Sequence, residues 1–332
     1  MTVNRYPPNT LMRRLLVAFF MLAALAASWS AIAQPFPARP VRIVVPFAPG
    51  GSPDLLARAL AQQLEQQLGR SFIVDNRAGA NGIIGAEIVA RAAPDGYTVM
   101  HTPPAFVLNT LVYKKLPYDV HRDYAPITNV GTAGGYVLLV TPSLPVGTVG
   151  ELIALAKAKP LAYGSPPAGN TLHLASELFK VRAGVPFLHV PYKGGTESFT
   201  ALMSGEVQML IVPPTAAVPY VRSGRLKAIG FTGSKRLAAL PNLPTIAESG
   251  LPEYVVDFTW NGWFAPSRTP PSLITLLQTE VAKAVHAPKV RELFSMSGYT
   301  AVANAPEEFR RFVHAEVKRY AELVREARIA VD

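Results

Sequence analysis

The sequence predicts an α/β protein of two lobes, each with a mainly parallel sheet flanked by helices. From residue 41 onward, short apolar runs rich in Val and Ile alternate with segments of helical periodicity, a pattern typical of βαβ units. About 299 residues follow residue 33, which is enough for two domains that each bury a core.

The first lobe begins with a strand predicted over residues 41–47, followed by the glycine turn Pro49-Gly50-Gly51. A helix follows, with Ser52 as the predicted N-cap and Pro53 at its first position. Its apolar face and its end are marked by Leu56, Leu60, Leu64, Leu68 and Gly69. A strand, a helix and a strand are then predicted at residues 72–74, 81–92 and 97–101.

A second set of elements begins with a strand at residues 137–140. Thr148 and Glu151 then have the spacing of a capping box, which predicts a helix start. Further strands are predicted at 163–165, 187–190, 207–212 and 226–231, and helices at 171–180, 197–204 and 215–221.

The chain is expected to pass between the lobes twice, near residues 128–132 and 256–262. The first lobe would then comprise residues 34–130 and 260–332 and the second residues 131–259, with the ligand cleft between them. A final helix at 306–329 carries one apolar stripe and should pack on the first lobe. Trp260 and Trp263 could stack on a ligand or pack the hinge, and we favour packing.

The N-terminus has the features of an export signal. Arg5, Arg13 and Arg14 precede the apolar run 15–27, and Ala31-Ile32-Ala33 supplies a small-x-small cleavage site. The run is too short to span a bilayer, so residues 1–33 are predicted to be a cleaved signal peptide, with cleavage near Ala33-Gln34. The protein is therefore expected in the periplasm, by either the general or the twin-arginine route.

Composition and the absence of known motifs exclude several kinds of site and activity. The chain has no cysteine, which excludes a lipid-anchored start, disulfides and thiolate metal sites. Its formal charge of +10 would fall to +7 without the three signal-peptide arginines, and the basic residues are too scattered for a nucleic-acid site. We found no nucleophile elbow, zinc-protease motif, Walker loop or dinucleotide fingerprint, so neither catalysis nor a metal or cofactor is predicted. A catalytic pair assembled from distant positions stays open.

Nine short segments carry a family resemblance. They are residues 46–54 (PFAPGGSPD), 75–82 (DNRAGANG), 93–98 (APDGYT), 113–119 (YKKLPYD), 163–165 (YGS), 173–174 (HL), 190–195 (VPYKGG), 243–245 (LPT) and 264–266 (FAP). In this order they resemble the substrate-binding receptors of tripartite tricarboxylate transporters, the Bug receptors. The segments cover nearly the whole chain after residue 33.

The resemblance implies a type II-like periplasmic binding protein, a Venus flytrap whose loops hold a ligand carboxylate mostly through backbone N–H groups and waters. Helix N-termini suit this task because their unpaired N–H groups carry partial positive charge. Asp54 is expected to stabilise a helix start, and His173 to be structural. The implied ligand-binding residues are Phe47, Gly51, Ser52, Pro53, Asn81 and Gly82 in the first lobe, and Ser165, Gly169, Asn170, Thr171, Lys193, Gly194 and Gly195 in the second.

Three departures from the family pattern bear on the ligand. Pro166-Pro167 stiffens one loop and removes N–H donors, while residues 102–106 (TPPAF) and 212–214 (VPP) replace segments that are polar in family members. We therefore add Ala105 and Pro214 to the predicted ligand-binding residues. The expected ligand is a carboxylate with an apolar or aromatic body, rather than an amino acid or citrate. The alternative, that these prolines only stiffen loops away from the pocket, stays open.

The predicted function is capture of a small organic carboxylate by a monomeric receptor and its delivery to membrane permease subunits. An open form would close as the ligand bridges both lobes. A sensor receptor that docks onto a signalling kinase would have the same fold and pocket. Neighbouring genes for permease subunits or for a kinase would distinguish these two alternatives.

Overall fold

The computed structural model describes residues 36–167, 169–192, 195–257 and 259–329. The predicted signal peptide, residues 1–33, lies outside these described residues. All contacts discussed below lie within the compact unit that begins at Arg39.

Strands and helices alternate along most of the described chain, as the sequence predicts. The strands are β1 (Val41–Val45), β2 (Phe72–Asn76), β3 (Thr98–Thr102), β4 (Tyr124–Thr132), β5 (Val137–Val140), β6 (Ala162–Ser165), β7 (Leu188–Pro191), β8 (Met209–Val212), β9 (Lys227–Phe231), β10 (Trp260–Pro266) and β11 (Thr300–Ala301). The α-helices are α1 (Ser52–Leu68), α2 (Ile83–Ala90), α3 (Ala105–Val112), α4 (Val149–Ala158), α5 (Thr171–Ala183), α6 (Gly195–Ser204), α7 (Pro214–Arg222), α8 (Pro271–His286), α9 (Pro288–Met296) and α10 (Pro306–Glu326).

The strands form two sheets, one in each lobe of an α/β fold. The first has the order β11-β4-β10-β3-β1-β2, and the second has the order β7-β6-β8-β5-β9. Because β4 and β10 both belong to the first sheet, the second lobe is an insertion between them.

Both sheets are mixed, so the prediction of mainly parallel sheets is wrong in this respect. In the first sheet β1 pairs in parallel with β2 and β3, whereas β10 is antiparallel to β3 and β4. In the second sheet β6 is parallel to β7 and β8, but β5 is antiparallel to β8 and β9. The parallel strands are joined by helices, as parallel connections require. The antiparallel strands β4, β5, β9 and β10 flank the two links between the lobes.

The two links between the lobes lie side by side. The Ala133 N–H donates to the Thr259 carbonyl at 2.9 Å, and the Thr132 hydroxyl donates to the same oxygen at 2.8 Å. Further along, the Tyr136 N–H donates to the Thr232 hydroxyl at 2.8 Å. The links are thus joined to each other as well as to their sheets. The predicted lobe boundaries at residues 130/131 and 259/260 fall at this place and stay a prediction.

Both tryptophans of the 259–263 segment pack in the core, as favoured from the sequence. Trp260 and Trp263 are fully buried on β10. The Trp260 indole N–H lies 3.2 Å from a carboxylate oxygen of Glu316 on α10, and the Trp263 indole N–H donates to His101 Nδ1 at 2.8 Å. These contacts fix β10 against the first lobe.

The last helix, α10, packs as its apolar stripe predicts. Its buried residues include Phe309, Val313 and Tyr320, and it lies against β4 and α3 of the first lobe. It also reaches α5 of the second lobe, where Arg182 forms an ion pair with Glu326 at 2.6 Å. Among the described residues, no helix combines the length and apolarity needed to cross a membrane.

Candidate functional site

The loop after β1 is held in place by hydrogen bonds to the buried carboxylate of Asp54. This carboxylate is buried and accepts hydrogen bonds from the Gly50 N–H at 2.9 Å, from Arg58 Nε at 3.0 Å and from Asn76 Nδ2 at 3.0 Å. Burial raises the pKa of Asp54, but these hydrogen bonds and the charge of Arg58 outweigh it and hold the pKa below its usual value. Asp54 therefore stabilises the helix start, as expected, and its carboxylate is already fully engaged.

The start of α1 differs by one residue from the prediction. Gly51, not Ser52, is the N-cap, and no side chain caps the helix. Asp54 takes over this role by accepting from the Gly50 N–H just before the helix. The Leu55 N–H is bonded to the Gly51 carbonyl at 3.0 Å, so the N–H groups of Ser52 and Asp54 precede the first helical hydrogen bond.

Ser52 is freed from capping and contacts the other lobe. Its hydroxyl forms a short hydrogen bond with the hydroxyl of Thr215, in the first turn of α7. Pro213 is the N-cap of α7 and Pro214 its first residue, so neither contributes an N–H group there. The structure therefore brings the first turns of α1 and α7 together across the lobes, with Pro214 beside them.

The loop after β2 lies against the loop after β1. Residues 79–82 all have positive φ angles, and a Cβ atom at Gly82 would lie only 3.2 Å from the tip of the Phe47 ring. A glycine at this position therefore lets the Phe47 ring pack on the second loop. Phe47, Gly51, Ser52, Pro53, Asn81 and Gly82 thus lie in the two loops that follow the carboxyl ends of β1 and β2, and these loops touch at Phe47 and Gly82.

Asn81 joins this region to the second lobe. Its side-chain N–H₂ group donates to the Gly169 carbonyl at 2.9 Å, and its Oδ1 accepts from Asn170 Nδ2 at 2.9 Å. The same N–H₂ group donates to Asn109 Oδ1 on α3 at 2.8 Å. The predicted residues Asn81, Gly169 and Asn170 are therefore in direct contact.

The second-lobe loop leads from β6 into α5. Asn170 is the N-cap of α5, and its Oδ1 accepts from the Leu172 N–H at 3.0 Å. Thr171 is buried at the first helical position. The Ser165 hydroxyl lies 2.7 Å from the Pro166 carbonyl and 2.8 Å from His189 Nε2, so its hydrogen bonds stiffen the loop. Gly169 needs its positive φ of 85°, and a Cβ there would press on Val112 of the first lobe.

His173 lies beneath this loop, within an aromatic cluster. Its ring is 4.4 Å from that of His189, and the His189 ring stacks on Tyr163 at 4.9 Å. Burial, together with the neighbouring His189, lowers the pKa of His173 to about 4, and burial also lowers the pKa of His189. Both imidazoles are therefore neutral near pH 7, and His173 has the surroundings of a structural residue.

The remaining predicted residues are placed as follows. Ala105 is buried at the start of α3, one helical turn before Asn109. Gly195 is exposed at the start of α6. Lys193 and Gly194 lie outside the described residues.

Sequence reasoning missed two residues that the structure places at this region, Asn109 and Thr215. Thr215 was predicted only as the beginning of a helix, and Asn109 was not singled out at all. A polar residue within the apolar run of α3 (AFVLNTLV) is the one signal that could have identified Asn109, because a buried amide needs partners.

The geometry offers binding groups rather than reacting groups. Burial lowers the pKa of His101 to about 3, so this histidine is neutral near pH 7, and its Nδ1 is occupied by Trp263. No group of three or more His, Asp or Glu side chains suited to a metal ion occurs in the part of the chain that the structure describes. The starts of α1 and α7 and the loop before α5 instead meet through Ser52, Thr215 and Asn81.

Comparisons with known proteins identify similar chains. A sequence model of TctC, the tripartite tricarboxylate transporter family receptor, matches residues 56–329. The structure of Rpa4515 from R. palustris with adipate is similar with a TM-score of 0.85 and 37% identity, covering 89% of this chain and 99% of that one. The structure of the periplasmic binding protein BugD is similar with a TM-score of 0.83 and 31% identity, covering 89% and 99%. MatC from Rhodopseudomonas palustris with bound malate has a TM-score of 0.80 and 29% identity, covering 87% and 100%.

Proposed function

Because the chain belongs to the tripartite tricarboxylate transporter receptor family, we propose that it captures a small organic carboxylate between its lobes and delivers it to membrane permease subunits. The family consists of solute receptors, so the chain is a receptor and not an enzyme. Its solved relatives bind carboxylates, adipate in Rpa4515 and malate in MatC.

The observation that carries the proposal is the meeting of helix starts from both lobes. The first turns of α1 and α7 touch through Ser52 and Thr215, and the loop before α5 touches Asn81. Unpaired N–H groups at helix N-termini favour an anion without a basic side chain. A carboxylate held between them would be bound by both lobes at once.

The predicted contacts follow from this arrangement. In the first lobe we propose that Phe47, Gly51, Ser52, Pro53, Asn81 and Gly82 line the site. In the second lobe the proposed residues are Ser165, Gly169, Asn170, Thr171, Lys193, Gly194 and Gly195. Ala105 and Pro214 would border the distal part of the ligand.

We further propose that the ligand has an apolar body. Asp54, the carboxylate in the first turn of α1, is already paired with Arg58 and Asn76, so it does not offer its charge to a ligand amino group. Pro213 and Pro214 supply no N–H groups at the start of α7. A charged group on the body of the ligand, such as the amino group of aspartate or the third carboxylate of citrate, would lose its hydration there without compensation.

A thermal-shift panel tests this function. Adipate, benzoate, citrate and aspartate would each be added to the purified protein. A ligand at 100 times its dissociation constant stabilises the folded state by about 2.7 kcal/mol, which raises the melting temperature by several degrees. We expect stabilisation by adipate or benzoate. A response to aspartate alone would contradict the apolar-body proposal.

We also propose that the mature protein begins near Gln34, is a monomer and resides in the periplasm. The arginines and the apolar run within residues 1–33 support export. N-terminal sequencing of the protein from a periplasmic extract would test this. A chain that still began at Met1 in that extract would contradict cleavage.

A further inference from the structure

Asn109 is a polar residue within a buried and otherwise largely apolar helix. It lies in the middle of α3, and no part of it is exposed to solvent. Its Oδ1 accepts from Asn81 Nδ2 at 2.8 Å, and its own N–H₂ group donates to the Asn81 carbonyl at 3.1 Å and to the Tyr118 hydroxyl at 3.3 Å. Two of these three hydrogen bonds go to one residue, Asn81.

Asn81 adopts a conformation that needs such support. Its φ of 51° and ψ of 37° place it in the left-handed region, which is unfavourable for residues other than glycine and tolerated best by Asn and Asp. Asn109 holds both the side chain and the carbonyl of Asn81. The Asn81 amide is thereby kept pointing at the second lobe.

Across the lobes the Asn81 amide meets a matching partner. Asn170 Nδ2 donates to Asn81 Oδ1, and Asn81 Nδ2 donates to the Gly169 carbonyl, both at 2.9 Å. Asn170 is itself fixed because its Oδ1 caps α5 through the Leu172 N–H. The contact therefore ends on the helix that carries Thr171, one of the proposed ligand-binding residues.

We infer that Asn109 is a positioning residue of the ligand site, and that the Asn81–Asn170 pair it supports strengthens ligand binding by holding the lobes closed. This inference rests on the proposed function. The pair can form only when the lobes are together, because its members belong to different lobes. A ligand that binds the closed form is held more tightly as the closed fraction rises.

The size of the effect follows from ordinary hydrogen bonds. Separation of the lobes would give up the two interlobe bonds and expose their groups to water. A net value of about 1 kcal/mol for each bond corresponds to roughly fivefold in the closed-to-open ratio. Loss of both bonds should thus weaken ligand binding by roughly 25-fold, and loss of one by roughly fivefold.

The test uses three variants chosen to leave the fold intact. Asn81→Gly keeps a residue suited to the left-handed backbone and removes the amide. Asn170→Ser keeps an N-cap, because serine caps a helix about as well as asparagine, and removes the interlobe donor. Asn109→Leu removes the supporting amide at similar volume. Thermal melting checks that each variant is folded.

Two measurements are made on these proteins and on the combined variant Asn109→Leu/Asn81→Gly. Calorimetric titration gives the affinity for adipate, and small-angle X-ray scattering gives the radius of gyration without ligand. We expect Asn81→Gly, which removes both interlobe bonds, to weaken adipate binding roughly 25-fold, and Asn170→Ser, which removes one, roughly fivefold. Asn109→Leu should weaken binding by about fivefold, because the Asn81 amide is then no longer held. All three changes should increase the radius of gyration. Asn109→Leu should cost less than about twofold once Asn81 is glycine, because only the carbonyl of residue 81 is then left for Asn109 to hold.

Several outcomes would overturn the inference. If Asn109→Leu weakens binding equally with and without the Asn81 amide, its role is structural only. If Asn81→Gly and Asn170→Ser leave the radius of gyration unchanged, the pair does not hold the lobes together. Should the wild-type protein bind no adipate, the choice of ligand in the proposed function fails, and the scattering data still decide the inference.

Discussion

Ser52 is a residue of the proposed site that touches both lobes. Its hydroxyl contacts Thr215 of the second lobe, while its backbone belongs to the first turn of α1. Thr171 holds the equivalent position at the first turn of α5. Both residues combine a hydroxyl with a helix start, which suits them to an anion.

Replacement of Ser52 by Ala or of Thr171 by Val should weaken carboxylate binding without unfolding the protein. A hydrogen bond to a charged group contributes about 1.5–3 kcal/mol, so we expect a loss of tenfold or more in affinity. Calorimetric titration measures this change. Ser272→Ala, at an exposed position on α8, is the control and should bind as the wild type does. Unchanged affinity in both folded variants would show that the site is assigned wrongly.

Asp54 shows a different role for a residue at the same helix start. Asp54→Asn keeps the shape but removes the charge that Arg58 and the Gly50 N–H face, so it should lower the free energy of unfolding by about 1–3 kcal/mol at pH 7. Because the pKa of Asp54 is lower in the folded protein than its usual value, its stabilising contribution exists at neutral pH and is lost as the pH falls through that folded-state pKa.

Urea denaturation of the wild type and of Asp54→Asn at pH 7, 5 and 3 would check this. The difference in unfolding free energy should be present at pH 7 and 5 and should shrink toward pH 3. A difference that grows on acidification would mean that the Asp54 carboxylate is not stabilised by its partners.

Among the elements, α10 stands out because it closes the core of the first lobe. Phe309 is fully buried against Trp260 and Phe264, with ring centroids 5.7 and 5.1 Å apart. A Cβ at Gly262 would collide with the Phe309 ring, so β10 and α10 are in close contact there. This contact ties the last helix to the strand that returns from the second lobe.

Phe309→Ala should therefore cost about 3–5 kcal/mol of unfolding free energy, through lost burial and the cavity left behind. Denaturant unfolding monitored by tryptophan fluorescence measures it, because Trp260 lies beside the ring. Phe312→Ala on the same helix is the comparison, since Phe312 is only half-buried, and should cost less. Equal costs would contradict the central place of Phe309 in the core.

The elements themselves could be predicted where the local pattern is complete. The Thr148–Glu151 capping box is present in the structure, and the predicted leucine face of α1 is buried at Leu56, Leu60 and Leu64. Helix α3 was missed because it follows two prolines and is buried on nearly every side, so its sequence has no polar face to reveal a helical period. The direction of β10 was also not predictable, because nothing local indicates how a strand enters from another lobe.

For the whole molecule, the glycine-rich loops indicated which regions to expect near a ligand, but not which residues meet. Ser52 and Thr215 are 163 positions apart, and Asn81 and Asn170 are 89 apart. Such pairs depend on how two lobes face each other, and no short-range spacing encodes that. The hydrogen bonds between Asn109 and Asn81 likewise join residues far apart in the sequence, so they could not be predicted from it either.

The two-lobed fold allows the lobes to close over a ligand, which the loops alone could not do. The links between the lobes lie side by side, so the lobes can turn about one narrow region. A ligand that bridges both lobes shifts the population toward the closed form in proportion to its preference for that form.

A paired titration is the sharpest test of whether both lobes together recognise an anion. The carboxylate that gives the largest thermal shift would be compared by calorimetry with its primary amide, which has nearly the same shape but no charge. We expect the amide to bind at least about 100-fold more weakly, because loss of a charge-assisted hydrogen-bond set costs several kcal/mol. Equal affinity for the acid and its amide would contradict a carboxylate site built from helix starts.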